Sequence, residues 1–184
     1  MRIAAIVGSN RRGNTYSMVE AGCHALTEAE VELIHLKDLD IQMCDGCLAC
    51  DESGKCHIDD DMQGILKTIL ESDGFIFGTP ARWSLLSGEL KTFFDRLNPL
   101  AVPELMRGKK AVIFAVGQTE NEEAESIELA ANSVHNFCDN AGIDVIEKVI
   151  AEGCLESDDL MRKHPDILKE CKKAAVKLMN SLTD

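Results

Sequence analysis

Five short apolar runs, alternating with segments of helical spacing along 184 residues, predict an α/β fold for this chain. Runs joined through helices pair in parallel by right-handed crossovers, so one open sheet with helices on both faces is expected. No repeat, low-complexity stretch or interdomain linker interrupts the pattern. Residues 1–184 therefore read as a single domain with a cysteine-rich loop at 43–57.

The elements follow in order. Residues 2–7 form the first apolar strand, and a helix is expected over 16–26. A second strand covers 31–36. After the cysteine segment, residues 60–71 place Met62, Ile65, Leu66, Ile69 and Leu70 on one helical face. Asp59, Asp60 and Asp61 open that helix, where the dipole favours carboxylates, so they read as caps and not as a metal or acid-base group. A third strand is expected over 74–77, and Leu90, Phe93, Phe94 and Leu97 repeat the helical spacing. Asp95 and Arg96, with Lys91 four residues before Asp95, read as a solvated helical pair. Residues 98–103 are the longest irregular connection outside the cysteine segment. Strands over 110–116 and 143–150 and helices over 122–138 and 166–182 complete the alternation.

Composition removes several function classes. A net charge of −13 argues against nucleic acid, whose phosphates need a basic face, and against anionic membranes. The opening apolar run is far too short for a membrane span and lacks the cleavage site of a signal peptide, so a cytoplasmic protein is expected. In a reducing compartment, clustered cysteines bind metal or react more often than they form disulfides.

Ligands of an open α/β sheet bind at the carboxyl ends of its strands, which directs attention to three loops. Residues 8–15, Gly-Ser-Asn-Arg-Arg-Gly-Asn-Thr, follow the first strand. Gly8 and Gly13 have P-loop spacing, yet Asn14 stands where that motif needs lysine, which disfavours triphosphate hydrolysis. The dinucleotide Gly-x-Gly-x-x-Gly pattern is missing too. Ser9, Asn14, Thr15 and Ser17 offer polar side chains, Arg11 and Arg12 supply charge, and a helix N-terminus points at the same place, which together suit a terminal phosphate monoester. A plain turn capped by Asn14 or Thr15 is the bland alternative.

The loop after the third strand runs from Gly78 through Thr79, Pro80, Ala81, Arg82 and Trp83. Trp83, the single tryptophan, suits either a wall beside a planar ring or packing in a core or dimer interface. Gly117, Gln118 and Thr119 follow the fourth strand with amide donors. A phosphorylated planar heterocycle such as FMN fits the three loops together.

Cys44, Cys47, Cys50 and Cys56 form a C-x2-C-x2-C-x5-C run, four of the eight cysteines within 13 residues. Thiolates at this spacing suit an iron-sulfur cluster or an all-cysteine zinc site. The spacing differs from the bacterial ferredoxin run, and metal-free thiols remain a third reading. Cys23, Cys138, Cys154 and Cys171 are scattered, as small core residues are. His57 reads as a surface side chain. No acid-base dyad stands out, which fits chemistry performed by a flavin.

Gly8-Ser9-x-Arg11 with Gly13-Asn14-Thr15, the cysteine run with Asp59-Asp60-Asp61-Met62, Thr79-Pro80-x-x-Trp83, and Leu90-Lys91-x-Phe93-Phe94-Asp95-Arg96 occur here in that order. In this the chain resembles the flavodoxin-like NADPH-dependent FMN reductases, and most of all the iron-sulfur flavoproteins. The resemblance runs from Met1 to about Arg96. It implies a three-layer flavodoxin-like sandwich with parallel strand order 2-1-3-4-5, bound FMN, a homodimer or homotetramer, and NAD(P)H or a reduced carrier as electron donor. It further implies that Ser9, Arg11, Asn14, Thr15 and Ser17 hold the FMN phosphate, that residues 79–83 and 117–119 flank the isoalloxazine, that the four cysteines carry a [4Fe-4S] cluster, and that Asp95 and Arg96 lie near a subunit interface. Arg82 stands where the family often has an aromatic residue, and one glycine stands near Gly117 where the family has a pair. An electron carrier without NAD(P)H activity and a non-enzymatic zinc or thiol module are the competing functions.

Overall fold

The computed structural model describes residues 1–121 and 125–183. Its sheet has five parallel strands in the order β2-β1-β3-β4-β5, with β1 Arg2–Val7, β2 Glu30–His35, β3 Gly74–Pro80, β4 Lys110–Val116 and β5 Asp144–Ala151. All four strand pairings are parallel, and the β4/β5 register shifts at Ala111/Val112. The expected strand order is the one observed.

Eight helices accompany the sheet among the described residues: α1 Asn14–His24, α2 Ala49–Ser53, α3 Met62–Glu71, α4 Gly88–Asp95, α5 Asn98–Ala101, α6 Glu125–Ala141, α7 Asp159–Lys163 and α8 Pro165–Ser181. Successive residues of a strand face opposite sides, and β1 shows it. Ala4 and Ile6 join one core with Met62, Ile65 and Ile69 of α3, Phe93 and Phe94 of α4, and Val134 of α6. Ile3, Ala5 and Val7 join the other, with Met18 and Val19 of α1 and Ala174, Ala175 and Leu178 of α8. Two cores on opposite faces of one sheet make the three layers.

The structure corrects several boundaries. The second strand occupies 30–35, because Glu30 pairs with Arg2 and His35 with Val7, and Leu36 turns into a single helical turn. The third strand continues to Pro80, whose register partner is Val116, so Thr79 and Pro80 are strand residues and not loop. The segment 98–103 expected to be irregular begins with α5, where Pro99 sits in the first turn, a position that needs no donated N–H. The first three residues of the helix expected over 122–138 lie outside the described residues. No described helix is long and apolar enough to cross a membrane.

Candidate functional site

The carboxyl ends of β1, β3, β4 and β5 open onto one cavity of about 680 Å³. Ladder-like bonds carry the sheet into the loops that line it. Gly8 N–H donates to Gly78 O at 2.8 Å, Ala81 N–H to Val116 O at 2.8 Å, Gly117 N–H to Ala151 O at 3.0 Å, and Cys154 N–H to Gly117 O at 2.8 Å. The loop backbones are thus fixed by the fold.

Two of these positions require glycine on packing grounds. A Cβ at Gly8 would meet Leu90 Cβ at 2.7 Å and Gly78 O at 3.0 Å, and one at Gly117 would meet Ile127 Cγ1 at 2.7 Å. Ser87, the N-cap of α4, completes the support: its hydroxyl donates to Gly8 O at 2.6 Å and accepts from Leu90 N–H at 3.2 Å.

Of the residues expected at the site, Ser9, Arg11, Asn14, Thr15, Pro80, Ala81, Arg82, Trp83, Gly117, Gln118 and Thr119 line the cavity. Ser9 Oγ accepts from Arg11 N–H at 3.3 Å, which shapes the loop beside the opening turn of α1. The cap residue of α1 is Gly13, without a side chain, and its first turn holds no acid, so neither Asn14 nor Thr15 is the cap. An uncapped helix start beside Arg11 favours an anion.

Other expected residues do different work. Ser17 does not line the cavity; it is the fourth residue of α1, and its N–H closes the first helical turn by donating to Gly13 O. Thr79 is fully buried; its hydroxyl accepts from Ser87 N–H at 3.0 Å and donates to Pro80 O. Asn14 spends its side chain on the loop after β5, donating to Glu156 O at 2.7 Å and accepting from Leu160 N–H at 3.1 Å. Arg12 turns away to Asp38 at 2.7 Å and lies 5.5 Å over the Tyr16 ring.

Trp83 is 98 % exposed, which overturns the reading of it as core packing. Trp83 and Ser84 both have left-handed backbone, φ 50° and 64°, between Arg82 and Leu85, whose N–H and C=O groups bond reciprocally at 2.9 and 3.0 Å. Positive φ at both central residues is the two-residue hairpin pattern normally given to Asn-Gly. The turn holds the indole out at the cavity mouth.

Sequence reasoning missed Ser84, Val116, Ser126, Cys154 and Leu155 of the lining. The rule that ligands meet strand ends also applied to β5, and would have found Cys154 and Leu155. Burial pushes the Cys154 thiol up to about 11, so it lines the cavity as a protonated group.

The cysteine segment lies apart from the sheet edge. Cys44 and Cys47 are exposed, Cys56 is half-buried, and Cys50 is buried on the first turn of α2. Asn98 Nδ2 lies 3.7 Å from Cys50 Sγ. Among the described residues, the only three or more donors gathered within 4.8 Å are Asp45, Cys47 and His57, all exposed, so the four thiols do not meet at one point. Asp45 accepts from Cys47 N–H at 3.1 Å and lies 2.9 Å from His57 Nε2.

The Asp59-Asp60-Asp61 triplet is more than a set of caps. Asp60 Oδ1 accepts from Met62 N–H at 3.0 Å, yet its carboxylate is buried against Arg96, with bonds of 2.6 and 2.9 Å to Nη1 and Nη2. Burial alone would raise the Asp60 pKa; the Arg96 bond and the Gln42 and Met62 amides overcome it and hold the carboxyl below its usual range. Lys91 and Asp95 form the expected exposed pair at 2.6 Å, but Arg96, read with them as solvated, is fully buried on Asp60.

The NADPH-dependent FMN reductase family matches residues 1–150, from β1 into β5, the last strand of the sheet. The chain belongs to the NADPH-dependent FMN reductase family. It is similar to an iron-sulfur flavoprotein of Methanocaldococcus jannaschii, 38% identical over 140 residues that cover 74% of this chain and 71% of the relative. An iron-sulfur flavoprotein of Archaeoglobus fulgidus is 33% identical over 127 residues, covering 65% of this chain and 58% of that protein. The fold matches a solved NAD(P)H:quinone oxidoreductase from Methanothermobacter marburgensis at TM-score 0.74 and 20% identity, over 97% of both chains. Family membership makes the chain an FMN-binding oxidoreductase. The cavity suits that flavin: its volume lies in the range of small-ligand sites, and an uncapped helix start with Arg11 at one end matches a phosphate.

Proposed function

We propose that this FMN reductase-family protein moves electrons from NAD(P)H or a reduced carrier through FMN held in the strand-edge cavity, with a [4Fe-4S] cluster on Cys44, Cys47, Cys50 and Cys56 as a second redox group, in the cytoplasm. The observation that carries the reading is the cavity itself, where four strand-following loops meet and supply a polar, cationic end and an open end beside Trp83.

When bound, the flavin supplies hydride and single-electron chemistry, and the cluster supplies single-electron transfer. The chain's own residues bind and orient. Ser9, Arg11 and Thr15, with the α1 amides, receive the phosphate. Pro80 through Trp83 and Gly117 through Thr119 border the ring. The Cys154 thiol, kept protonated by burial, presents no charge to that border. Cys44, Cys47, Cys50 and Cys56 match a four-thiolate group in donor type and number. Convergence of their sulfurs then comes with the metal, as binding and loop folding do in other thiolate sites.

Assembly as a homodimer or homotetramer belongs to the same reading, because a fully exposed tryptophan at a ligand mouth is a surface that a second subunit covers. NADH and NADPH oxidation, measured with the FMN-loaded protein, tests the reductase activity. Turnover with either nucleotide is expected. Flavin that is reduced by dithionite but by neither nucleotide would move the protein to the class of electron carriers.

A further inference from the structure

Arg96 follows α4 directly and is among the largest fully buried side chains of the protein. Its ion pair with Asp60 has side-chain exposures of 0% and 1%. Buried arginine is rare unless every donor is used, and here one is not: Nε has no hydrogen-bond partner among the described residues.

The other donors close a neck. Nη1 donates to Gln42 O at 2.8 Å and to Asp60 Oδ2 at 2.6 Å, and Nη2 donates to Asp60 Oδ1 at 2.9 Å. Gln42 N–H donates to the same Asp60 carboxylate at 2.9 Å. One step further out, Asp40 N–H donates to Asp61 Oδ2 at 2.7 Å and Asp61 N–H to Asp40 O at 3.2 Å. Residues 40–42 precede the first cysteine and residues 60–61 follow the last. The guanidinium thus bridges both ends of the cysteine segment from inside the protein.

The same helix reaches the flavin cavity. Ser87 at the start of α4 holds Gly8 O, and Arg96 stands nine residues later, about 13 Å along a helix rising 1.5 Å per residue. α4 is therefore a strut with the phosphate loop at one end and the cysteine neck at the other.

We propose that Arg96 is the positioning residue of the cysteine segment: it closes the neck through Gln42 and Asp60 and fixes the segment to the flavin site through α4. Neck closure does not depend on what the four cysteines bind.

Hydrogen exchange tests the clamp. In FMN-loaded, iron-free protein, Arg96→Lys keeps the charge but loses the fork, and Arg96→Gln loses both. Amides of residues 40–42 and 60–62 are expected to exchange hydrogen on the order of tenfold faster or more in both variants, with residues 8–19 unchanged, and Lys91→Gln serving as the control without effect. Unchanged exchange at the neck would overturn the clamp, as would a matching loss over residues 8–19, which would mark general unfolding. Where Arg96→Gln fails to fold, Arg96→Lys alone decides.

Discussion

The flavin cavity is made by the ends of four parallel strands, whereas the cysteine segment hangs from a neck and makes no strand pairing of its own. Around the cavity, backbone bonds such as Gly8 N–H to Gly78 O set the loops before any ligand arrives. In the segment, Gly46, Leu48 and Gly54 take left-handed φ of 72°, 59° and 66°, and two of the four thiols are exposed. The first region is shaped by the fold, and the second carries donors whose convergence depends on what they bind. Removing a donor should therefore act all-or-none in the segment and by degrees in the cavity.

The largest expected effect follows from that contrast. Cys47→Ser should abolish iron uptake while flavin content stays at the parent level, measured as iron and FMN per chain after anaerobic reconstitution. Equal loss of both would mean that the two regions are not independent. Next in size, Ser9→Ala combined with Thr15→Ala should weaken FMN binding by roughly 10²- to 10⁴-fold, since each hydrogen bond to a charged group contributes about 1.5–3 kcal/mol, and leave iron content unchanged. Flavin fluorescence titration reads it, and parent-like affinity would refute the phosphate assignment.

Much of this contrast was legible in the sequence. The apolar runs and helical spacings place all five strands and the strand-end site, because core periodicity is a local property. What escaped is tertiary. Asp60 and Arg96 are 36 residues apart, and nothing in either neighbourhood tells a cap from a buried ion pair. Thr79 and Asn14 are polar residues in the expected place whose hydroxyl and amide serve other loops, Ser87 and Leu160 respectively. The short helices α2, α5 and α7, of four or five residues, are too short to show a period. Trp83-Ser84 replaces the Asn-Gly of its turn type, so its tight turn carries no sequence signature.

A pair of glycine substitutions sharpens the comparison. Gly8→Ala forces a Cβ against Leu90 and Gly78 and should cost about 1–3 kcal/mol in urea unfolding, as overpacking does. Gly46→Ala meets nothing within 4 Å and should cost only the left-handed backbone, about 1–2 kcal/mol at most.

Acid pH should give a smaller effect. Hydrogen bonding from the Glu156 amide, with Lys163 beside it, holds Asp159 below the ordinary carboxylate range, and Asp60 is lowered as well. Both groups then stabilise the fold above the unfolded carboxylate pKa of about 3.9, and that contribution is lost as pH falls through their lower folded values. Stability should be level from neutral pH to about 5 and decline below about 4, more shallowly in Asp159→Asn. The smallest effect belongs to Trp83→Ala, which should alter unfolding free energy by no more than about 0.5 kcal/mol, because the indole touches little of its own chain.

The visible absorption spectrum of protein purified without oxygen tests the central claim most directly. Resolved flavin bands over a broad shoulder that disappears in Cys47→Ser are the predicted result. A colourless protein that takes up no FMN would contradict the account.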